Sequence, residues 1–488
     1  MEKILTDKLR FTDKYGRERI FTGMNVVDKK DYSRENPYYG YPAKDFPFAE
    51  YKARGFDIIR LGFTWCALEP FPGKYNKKLL SSLHEFLDKC EEYGIYVFLD
   101  CHQDLYSSYC YGDGAPKWAT LTAPYTPHKQ IAVWAEGYFY GRACHKAFDN
   151  FWANTKYKEK GLQDWFGEMW RFLAREFADH PAFFGFDFLN EPFPGTDGGK
   201  IFRKLIASAV KTSVTDKRVS VKEMAKEVLG EEKPKALDQF TGEVFKDAVS
   251  CCDSLVKSFD ENLYSPFLAK TGKYVREVTN NGIMFIDDNY YSNLGIPCCG
   301  KNIKINSENE PLQCYAPHAY DLTVDTPAYK YANNSRVGMI FDEHRKTQER
   351  LGVPCIIGEW GSRADGDGWY PHFDFLLKKF DSYKWSNTYW CYYNGIFEED
   401  FMKLLTRPHP KAVTGKIEKY EYDKENGKFS LSFFQEKEYS VPTVIYTDKE
   451  PKEITSNGKY NITKLSDSFG FDIEIFTPAG KNEVNVKF

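Results

Sequence analysis

The sequence predicts an α/β fold: a (β/α)₈ TIM barrel followed by a small C-terminal antiparallel β-sandwich. Eight short apolar, β-rich runs alternate with long helical patterns from about residue 20 to about residue 395. From about residue 408 onward, short strands alternate with turns rich in Gly, Asn and Asp. We therefore expect two domains, with residues 1–405 forming the barrel with long βα-loop insertions and residues 406–488 forming the sandwich.

The predicted barrel strands are runs of β-branched and aromatic residues bounded by polar ones. They are 20–27, 58–63, 96–100, 184–189, 282–286, 314–317, 355–358 and 388–392. Amphipathic helices are predicted between them, and the clearest is the stretch from Leu162 to Phe177, whose apolar residues recur on one helical face. A doubly wound open sheet is the alternative fold. It is disfavoured because no Gly-rich phosphate loop follows the first strand.

Three stretches are too long to be ordinary loops, namely residues 103–160, 192–279 and 287–312. The first is rich in Tyr and Trp, and the second contains a charged helical portion around residues 211–235. All three follow the C-terminal ends of predicted strands, where barrel enzymes build their active sites. Insertions of this length at this position are expected to form walls or lids of a site.

The C-terminal segment reads as a second, all-β unit. Its predicted strands are 417–422, 428–434, 443–447, 460–465, 471–476 and 484–488. Their spacing and turn residues are typical of an antiparallel sandwich. The strands are rich in Lys and Glu, so we expect the domain to pack against the barrel rather than to bind ligand.

Composition excludes some classes of protein and leaves others open. The net charge is −4 with a pI near 6.2, so no nucleic-acid surface is expected. Aromatic residues make up 17% of the chain, which suits stacking on sugars as well as a plain apolar core. The twelve cysteines lack zinc spacing and indicate free thiols in a reducing compartment. With no apolar leader at the N-terminus, the expected location is cytoplasmic, with secretion as the alternative if a signal peptide has been removed.

Polar residues cluster at the C-terminal ends of the predicted strands. They lie in the segments 60–63, 102–104, 190–192, 318–320, 358–361 and 389–390. Polar groups at successive strand ends are costly unless they serve one another or a ligand. Glu191 follows the fourth strand and Glu359 ends the seventh, so the two carboxyls face each other across the barrel mouth. This arrangement predicts a retaining β-glycoside hydrolase with Glu191 as acid/base and Glu359 as nucleophile.

The neighbouring side chains fit supporting roles in such a site. Asn190 is placed to hold a sugar 2-hydroxyl, Tyr320 to hydrogen-bond Glu359, and Arg60 to keep Glu359 charged. His102 and His318 would orient neighbours or bind hydroxyls, and Trp390 would stack on the sugar. Each signal alone also has an ordinary explanation: Asn-Glu-Pro as a strand end, Arg60 as a structural ion-pair partner, the histidines as satisfied buried groups and Trp390 as core. Their order and placement together favour the site.

Longer motifs resemble one known family. They are DCHQDLYS at 100–107, GDGAPKWAT at 112–120, AFDNFW at 147–152, DFLNEPF at 187–193, YAPHAY at 315–320, IIGEWG at 356–361 and RPHPKAVTG at 407–415. The pattern resembles glycoside hydrolase family five, and within it the endoglycoceramidases and their glycosylceramidase relatives. The resemblance spans nearly the whole chain. The first three motifs are far more specific than Asn-Glu-Pro.

The resemblance implies hydrolysis of the bond between glycan and ceramide in glycosphingolipids, by a two-step retaining route without metal or other cofactor. Residue by residue, it places Glu191 as acid/base and Glu359 as nucleophile. It also assigns the pocket residues His102, Asp104, Asn190, His318, Tyr320 and Trp390. Such enzymes bind sugar with a lysine after the first strand; Lys29 and Lys30 are adjacent here, and Lys30 is favoured. The partners implied are a glycolipid substrate and a transient contact with a membrane or micelle surface, with the oligomeric state left open.

Other functions stay open. The long insertion near residues 200–275 and the aromatic stretch 133–140 lie where the aglycone or outer sugars would bind, which leaves the substrate open. The absence of an export signal at the N-terminus points to an intracellular glucosylceramidase or steryl β-glucosidase as alternatives. A β-1,4-glucanase or mannanase would need a row of stacking aromatics along an open groove. A carbohydrate- or lipid-binding module without catalysis is disfavoured because both carboxylates are present.

Overall fold

The computed structural model describes residues 1–27, 29, 45–131, 133–229, 233–324, 327–361 and 363–488. Its strands in chain order are β1 (Leu5–Asp7), β2 (Arg10–Thr12), β3 (Glu18–Arg19), β4 (Thr22–Val27), β5 (Ile58–Thr64), β6 (Tyr96–His102), β7 (Lys156–Tyr157), β8 (Lys160–Gly161), β9 (Phe183–Asp187), β10 (Ile283–Asp287), β11 (Lys304–Ile305), β12 (Glu308–Asn309), β13 (Gln313–Ala316), β14 (Ile356–Gly361), β15 (Ser386–Trp390), β16 (His409–Val413), β17 (Lys416–Asp423), β18 (Lys428–Gln435), β19 (Thr443–Thr447), β20 (Glu453–Ser456), β21 (Lys459–Lys464), β22 (Phe471–Phe476) and β23 (Gly480–Lys487).

The α-helices in chain order are α1 (Phe48–Ala53), α2 (Trp65–Leu68), α3 (Lys77–Glu92), α4 (Glu136–Tyr140), α5 (Arg142–Trp152), α6 (Leu162–Phe177), α7 (Thr196–Thr215), α8 (Val221–Leu229), α9 (Gly242–Val249), α10 (Asp253–Phe259), α11 (Ser265–Arg276), α12 (Asn334–Leu351), α13 (Tyr370–Tyr383) and α14 (Met402–Leu405). Among the described residues, no helix combines the length and the apolar composition needed to cross a bilayer.

Eight parallel strands form the barrel. Their order around the sheet is β13, β10, β9, β6, β5, β4, β15 and β14. Backbone bridges pair Tyr315 with Cys355 and His318 with Glu359, and they join β13 to β14, so the sheet closes on itself. Each predicted barrel strand overlaps one of these strands, and the ends differ by three residues at most. The predicted (β/α)₈ barrel with a C-terminal antiparallel unit is confirmed.

The barrel strands are buried because helices cover their outer face. The seven residues of β5 and of β6 are all buried, as expected for strands enclosed on both sides. The predicted amphipathic helix is α6, and its apolar face, including Phe166, Trp170 and Phe177, packs into the main core. Burial of this stripe against the sheet provides most of the driving force for the helix, because propensity alone stabilises short helices only weakly.

The N-terminal strands have a role that the sequence pattern did not reveal. Phe11 of β2 packs edge-on against Phe184, at a ring-centroid distance of 5.5 Å, and Phe21 packs against Phe184 at 5.2 Å. These rings belong to a second core cluster that fills the N-terminal end of the barrel. The barrel is therefore closed at this end, and its open mouth is at the C-terminal ends of the strands.

The C-terminal residues form two antiparallel sheets with their own core. One sheet has the order β17, β18, β23 and β20, and the other runs from β1, β2 and β3 through β16, β19 and β22 to β21. Because Val413 of β16 pairs with Glu18 of β3, residues 5–19 extend the second sheet although they precede the barrel in the chain. The expected boundary between residues 405 and 406 stays a prediction.

The three long insertions follow β6, β9 and β10, as the sequence predicts. The first contains α4 and α5, the second contains α7 to α11, and the third contains the short hairpin of β11 and β12. All of them leave the C-terminal ends of their strands, so their helices and loops stand around the barrel mouth.

Candidate active site

The polar side chains predicted at the strand ends meet at the barrel mouth. Arg60 lies in β5, Asn190 and Glu191 follow β9, His318 follows β13, and Glu359 lies in β14. All five side chains are buried. Burial of so many polar groups is tolerable only because they pair with one another, as described below.

Arg60 links four strand ends through its guanidinium group. Nη1 donates to Oε1 of Glu359 at 2.6 Å, and Nη2 donates to Oδ1 of Asn190 at 2.9 Å. Nε donates to Oδ2 of Asp187 at 2.9 Å, and Nη2 lies 3.1 Å from Oδ1 of Asp100. The fixed fork of donors in a guanidinium suits such a multiple contact. Arg60 is thus both a structural ion-pair partner and a contact of Glu359.

The two aspartates around Arg60 have opposite pKa shifts. Burial raises the pKa of Asp187, and the nearby Arg60 offsets only part of this effect. Burial also acts to raise the pKa of Asp100, but the charges of Arg60 and His102 outweigh it and lower the pKa. The charge of Arg60 is therefore balanced within the buried layer by ionised Asp100 and by Glu359.

Glu359 is held at both carboxyl oxygens. Oε1 accepts the hydrogen bond from Arg60, and Oε2 accepts one from the hydroxyl of Tyr320 at 3.1 Å. The preceding Gly358 leaves room for His318, because a Cβ at that position would lie 2.7 Å from Nε2 of the imidazole. The glycine in Gly-Glu-Trp-Gly thus permits the histidine to approach the glutamate.

The backbone of Glu191 adopts a conformation that is rare for a residue with a side chain. Its φ angle is 42°, and the residue precedes Pro192, which disfavours helical conformations in the residue before it. Neighbours hold it there: its N–H donates to Oδ2 of Asp287 at 3.1 Å, and Nε2 of Gln103 donates to its carbonyl at 3.2 Å. This restraint aims the carboxyl group into the barrel mouth.

The carboxyl group of Glu191 lies in an environment that favours its protonated form. Burial raises its pKa to about 7, and the negative charge of Asp104 adds to this effect. Nδ2 of Asn293 donates to Oε1 of Glu191 at 2.7 Å and acts in the opposite direction. Nδ1 of His318 lies 3.1 Å from the same oxygen, and burial lowers the pKa of this histidine to about 3, so the imidazole is neutral.

The two glutamates lie close together. One oxygen of Glu191, one imidazole nitrogen of His318 and one oxygen of Glu359 all lie within 4.8 Å of one another. Retaining glycosidases place their two carboxyl groups about 5–5.5 Å apart, whereas inverting enzymes need about 6.5–9.5 Å to admit a water. The spacing therefore matches the retaining arrangement.

A second group of charged side chains lies beside Trp390. Nζ of Lys29 donates to Oδ2 of Asp104 at 2.5 Å and lies 4.5 Å from the centroid of the Trp390 ring. His102 stacks on the same ring with a centroid distance of 5.3 Å. Burial and Lys29 act to lower the pKa of His102, but Asp100 and Asp104 raise it to about 10. The favoured Lys30 lies outside the described residues, and Lys29 occupies the position next to the site.

A cavity of about 760 Å³ contains these residues and continues beyond them. Its polar end is lined by Lys29, His102, Asp104, Asn190, Glu191, Asn293, Tyr320, Glu359 and Trp390. The rest of the lining is mostly apolar, and we call this part the apolar end. It includes Trp134, Phe139, Phe202, Leu205, Ile206, Ala209, Leu237, Phe240, Phe245, Ala248, Val249, Leu294, Leu322 and Val324, with Tyr290, Tyr291 and Asp321 among them. Most of the apolar walls come from the insertion after β9, the strand that Glu191 follows.

Two groups of side chains have donor types and spacings that suit a metal ion. They are His102 with Asp104 and Asp113, and Glu191 with His318 and Glu359. In each group a carboxylate already accepts from a cation, since Lys29 pairs with Asp104 and Arg60 pairs with Glu359. We therefore assign these carboxylates to hydrogen-bonding and proton-transfer roles. The expectation that no cofactor is needed stays a prediction.

Sequence reasoning missed several residues of the site. Asn293 lies in the long insertion after β10, and no local pattern marks it as a partner of Glu191. Asn25 in β4 accepts from Arg60 at 3.1 Å, and Asp287 accepts from the N–H of Glu191. Asn25 and Asp287 offered one signal, their position in barrel strands, which they share with residues that were identified. Asn293 offered none.

Comparison with known proteins agrees with this geometry. The model of the cellulase family, glycosyl hydrolase family 5, matches residues 12–230 and 261–395. The chain belongs to glycoside hydrolase family 5. The model of the glycoside hydrolase family 5 C-terminal domain matches residues 407–468, which form most of the C-terminal sandwich.

Relatives extend the likeness over most of the chain. It is 25% identical to an endoglycoceramidase from Cyanea nozakii over 96% of this chain and 85% of that protein. It is 24% identical to endoglycoceramidase I from Rhodococcus hoagii, over 88% of this chain and 76% of the relative. The structure of endo-glycoceramidase II from Rhodococcus sp. superposes with a TM-score of 0.73 and 21% identity, covering 99% of both chains. The last likeness establishes the shared fold.

Asn293 allows a test of how this glycoside hydrolase sets the pKa of Glu191. The Asn293 hydrogen bond lowers that pKa, so Asn293→Ala is expected to raise it and to move the alkaline limb of kcat/KM, near pH 7 in the wild type, to higher pH. The measurement is a pH profile with a soluble aryl β-glycoside, and Asn302→Ala in the same insertion is the control. An unchanged or lowered alkaline limb would contradict this role.

Proposed function

We propose that this family 5 enzyme is a retaining β-glycosidase in which Glu359 is the nucleophile and Glu191 is the general acid and base. The observation that carries the proposal is the spacing of the two glutamates: one oxygen of each lies within 4.8 Å of the other. Their surroundings differ as the chemistry requires. Glu359 accepts from Arg60 and Tyr320, whereas burial raises the pKa of Glu191 to about 7.

In the first step, a carboxylate oxygen of Glu359 attacks the anomeric carbon and forms a glycosyl ester. The bond from that carbon to the aglycone oxygen breaks, and Glu191 donates its proton to this oxygen. In the second step, water attacks the anomeric carbon, Glu191 takes a proton from the water, and Glu359 leaves as carboxylate. Arg60 and Tyr320 hold the two oxygens of Glu359 throughout, which orients the attacking atom.

The polar end of the cavity is suited to the sugar that is cleaved. Trp390 offers an apolar ring face, and Lys29, His102 and Asp104 provide charged donors and acceptors around it. Asn190 beside the nucleophile has Oδ1 bound by Arg60, while its Nδ2 donates to the carbonyl of Gln103 at 3.1 Å. In the proposal these groups bind the sugar hydroxyls, and Asn190 lies nearest the 2-hydroxyl.

The apolar end of the cavity supports a lipid aglycone. The general acid of a glycosidase faces the leaving group, and the apolar walls are built largely by the insertion that follows Glu191 in the chain. A cavity lined by Phe, Leu, Ile and Val side chains gains free energy by burying alkyl chains, at about 25 cal/mol per Å². Together with the endoglycoceramidase names of the relatives, this supports cleavage of the bond between glycan and ceramide in a glycosphingolipid.

The apolar walls provide a test of the aglycone. Leu205→Gln places a polar group in the cavity wall and is expected to lower kcat/KM for lactosylceramide in detergent by about tenfold, because burying an unsatisfied polar group costs free energy on the order of 1–3 kcal/mol. Hydrolysis of a soluble aryl β-lactoside should be unchanged. Leu263→Gln is the matched control, since Leu263 is 38% exposed and lies outside the cavity lining.

The same assay separates the alternative functions. If glucosylceramide or a steryl β-glucoside is cleaved faster than lactosylceramide, the enzyme is a glucosidase that removes a single sugar. The polar end of the cavity would then hold one sugar rather than two. Cellotetraose cleaved faster than every lipid substrate would contradict the lipid aglycone and favour a glucanase. The expected cytoplasmic location stays a prediction.

A further inference from the structure

Exposed apolar side chains are concentrated around the apolar mouth of the cavity. On the first insertion they are Ile131, Val133, Trp134 and Tyr140, and on α7 they are Ile206, Val210 and Val214. Ile131 is 88% exposed, Val210 61% and Val214 69%. Single exposed apolar residues are ordinary, but a contiguous group beside a cavity marks an interaction surface. We call these seven residues the rim.

Aromatic contacts join the two segments that carry the rim. Phe202 of α7 stacks on Phe139 at a centroid distance of 4.1 Å and meets Tyr140 edge-on at 5.5 Å. Trp134 and Ile206 belong to the rim and also line the cavity. The apolar surface is therefore continuous from the outside of the protein into the proposed aglycone site.

The positions on α7 form an amphipathic pattern that faces outward. Ile206, Val210 and Val214 are spaced by four residues and lie along one face of the helix, next to the face that lines the cavity through Leu205 and Ala209. A surface helix normally turns its apolar stripe inward. Here the apolar stripe of α7 is wider than the face that packs against the rest of the protein, so the row of Ile206, Val210 and Val214 remains exposed to solvent.

The segment that carries this row is rich in basic residues. Between Lys200 and Lys222 the chain has seven Lys and Arg side chains and one acidic residue, although the whole chain has a net charge of −4. Lys200 pairs with Asp197, and Arg218 pairs with Asp216 and Asp247, so these two cations add little net positive charge. Arg203, Lys211, Lys217 and Lys222 are exposed. Basic side chains beside an exposed apolar row match the headgroups and acyl chains of an anionic lipid surface.

We propose that the rim docks this enzyme on an anionic lipid bilayer. The side chains of Ile206, Val210 and Val214, with Trp134 and Tyr140, enter the interfacial region, and the basic side chains of residues 200–222 contact the headgroups. The inference rests on the proposed function, because docking is useful if the substrate is a membrane lipid that passes into the cavity without crossing water. A second copy of this chain fits less well, since pairing two such faces would bring like charges together.

Vesicle binding tests the rim directly. The wild-type protein is expected to sediment with vesicles of phosphatidylcholine and phosphatidylserine, and added salt should weaken this binding. The double variant Val210→Glu/Val214→Glu removes apolar surface and adds like charge, and should weaken binding by about tenfold or more. The matched control Tyr460→Glu/Ile462→Glu changes two side chains on β21 that are 45% and 42% exposed and lie away from the cavity, and should bind as the wild type does.

The outcomes separate docking from catalysis. Val210 and Val214 do not line the cavity, so the double variant should hydrolyse a soluble aryl β-glycoside at the wild-type rate and lose activity only on vesicle-borne glycolipid. Equal vesicle binding by the double variant and the wild type would overturn the proposal, as would equal binding to vesicles of phosphatidylcholine alone. If no glycoside is hydrolysed by any form, the proposed function fails, while the vesicle measurement still decides the docking surface.

Discussion

Glu359→Gln is expected to lower kcat on a soluble aryl β-glycoside by about 10⁴-fold or more, the scale seen when an enzyme nucleophile is removed. The amide cannot form the glycosyl ester, and it no longer gives Arg60 a charged partner at 2.6 Å. We expect the fold to persist, because Arg60 keeps its contacts with Asp100 and Asp187. The measurement is single-turnover hydrolysis together with a thermal unfolding curve.

A buried glutamate elsewhere provides the control for Glu359. Glu69 is buried, accepts from the indole N–H of Trp65 at 2.8 Å, and does not line the cavity. Glu69→Gln should therefore change stability at most and leave turnover within about twofold of the wild type. Turnover of Glu359→Gln close to that of this control would exclude Glu359 as the nucleophile.

The barrel could be predicted because its signals are local and repeated. Each of the eight strands is a short apolar run, and α6 has its apolar residues on one face, so period and length identify the elements without knowledge of their contacts. The order of the strands then follows from the rules for parallel units. The strands and their order could therefore be predicted from local apolar patterns, because tertiary packing buries the same residues that these patterns mark.

The N-terminal strands and β16 could not be predicted in the same way. β1, β2 and β3 are two or three residues long, and they are stabilised by pairing with one another and with β16, some four hundred residues away in the chain. The apolar pattern of 5–19 is too short to show this. The partners exist only once the barrel has brought both ends of the chain together.

The residues of the candidate site also fall into a group that could be predicted and a group that could not. Arg60, Asn190, Glu191 and Glu359 lie at strand ends, so the predicted barrel alone places them at one mouth. Asn293 belongs to a loop whose course no local pattern sets, and its contact with Glu191 depends on how that loop folds back. Of the two candidate lysines after β4, Lys29 contacts Asp104 and Trp390, while the favoured Lys30 lies outside the described residues and stays a prediction.

Glu191→Ala is the second prediction with a large expected effect, and its result depends on the leaving group. A substrate with a basic alcohol as aglycone needs the proton of Glu191, so its hydrolysis should fall by about 10²–10⁴-fold. The dinitrophenolate of a dinitrophenyl glycoside leaves without protonation, so formation of the glycosyl ester from this substrate should be nearly unaffected. The glycosyl ester on Glu359 would then accumulate because no base activates water.

This accumulation distinguishes an acid/base from a residue that merely shapes the site. Azide needs no general base, so adding it to Glu191→Ala should restore turnover of the dinitrophenyl glycoside and give a glycosyl azide of retained β configuration. Azide should not restore Glu359→Gln by this route, since no ester forms there. An azide product of inverted configuration would mean that the azide displaced the aglycone directly, and the carboxyl spacing of less than 4.8 Å would then have misled the assignment. Because the two variants fail at different steps, the pair of results assigns the two glutamates separately, which their similar burial cannot do.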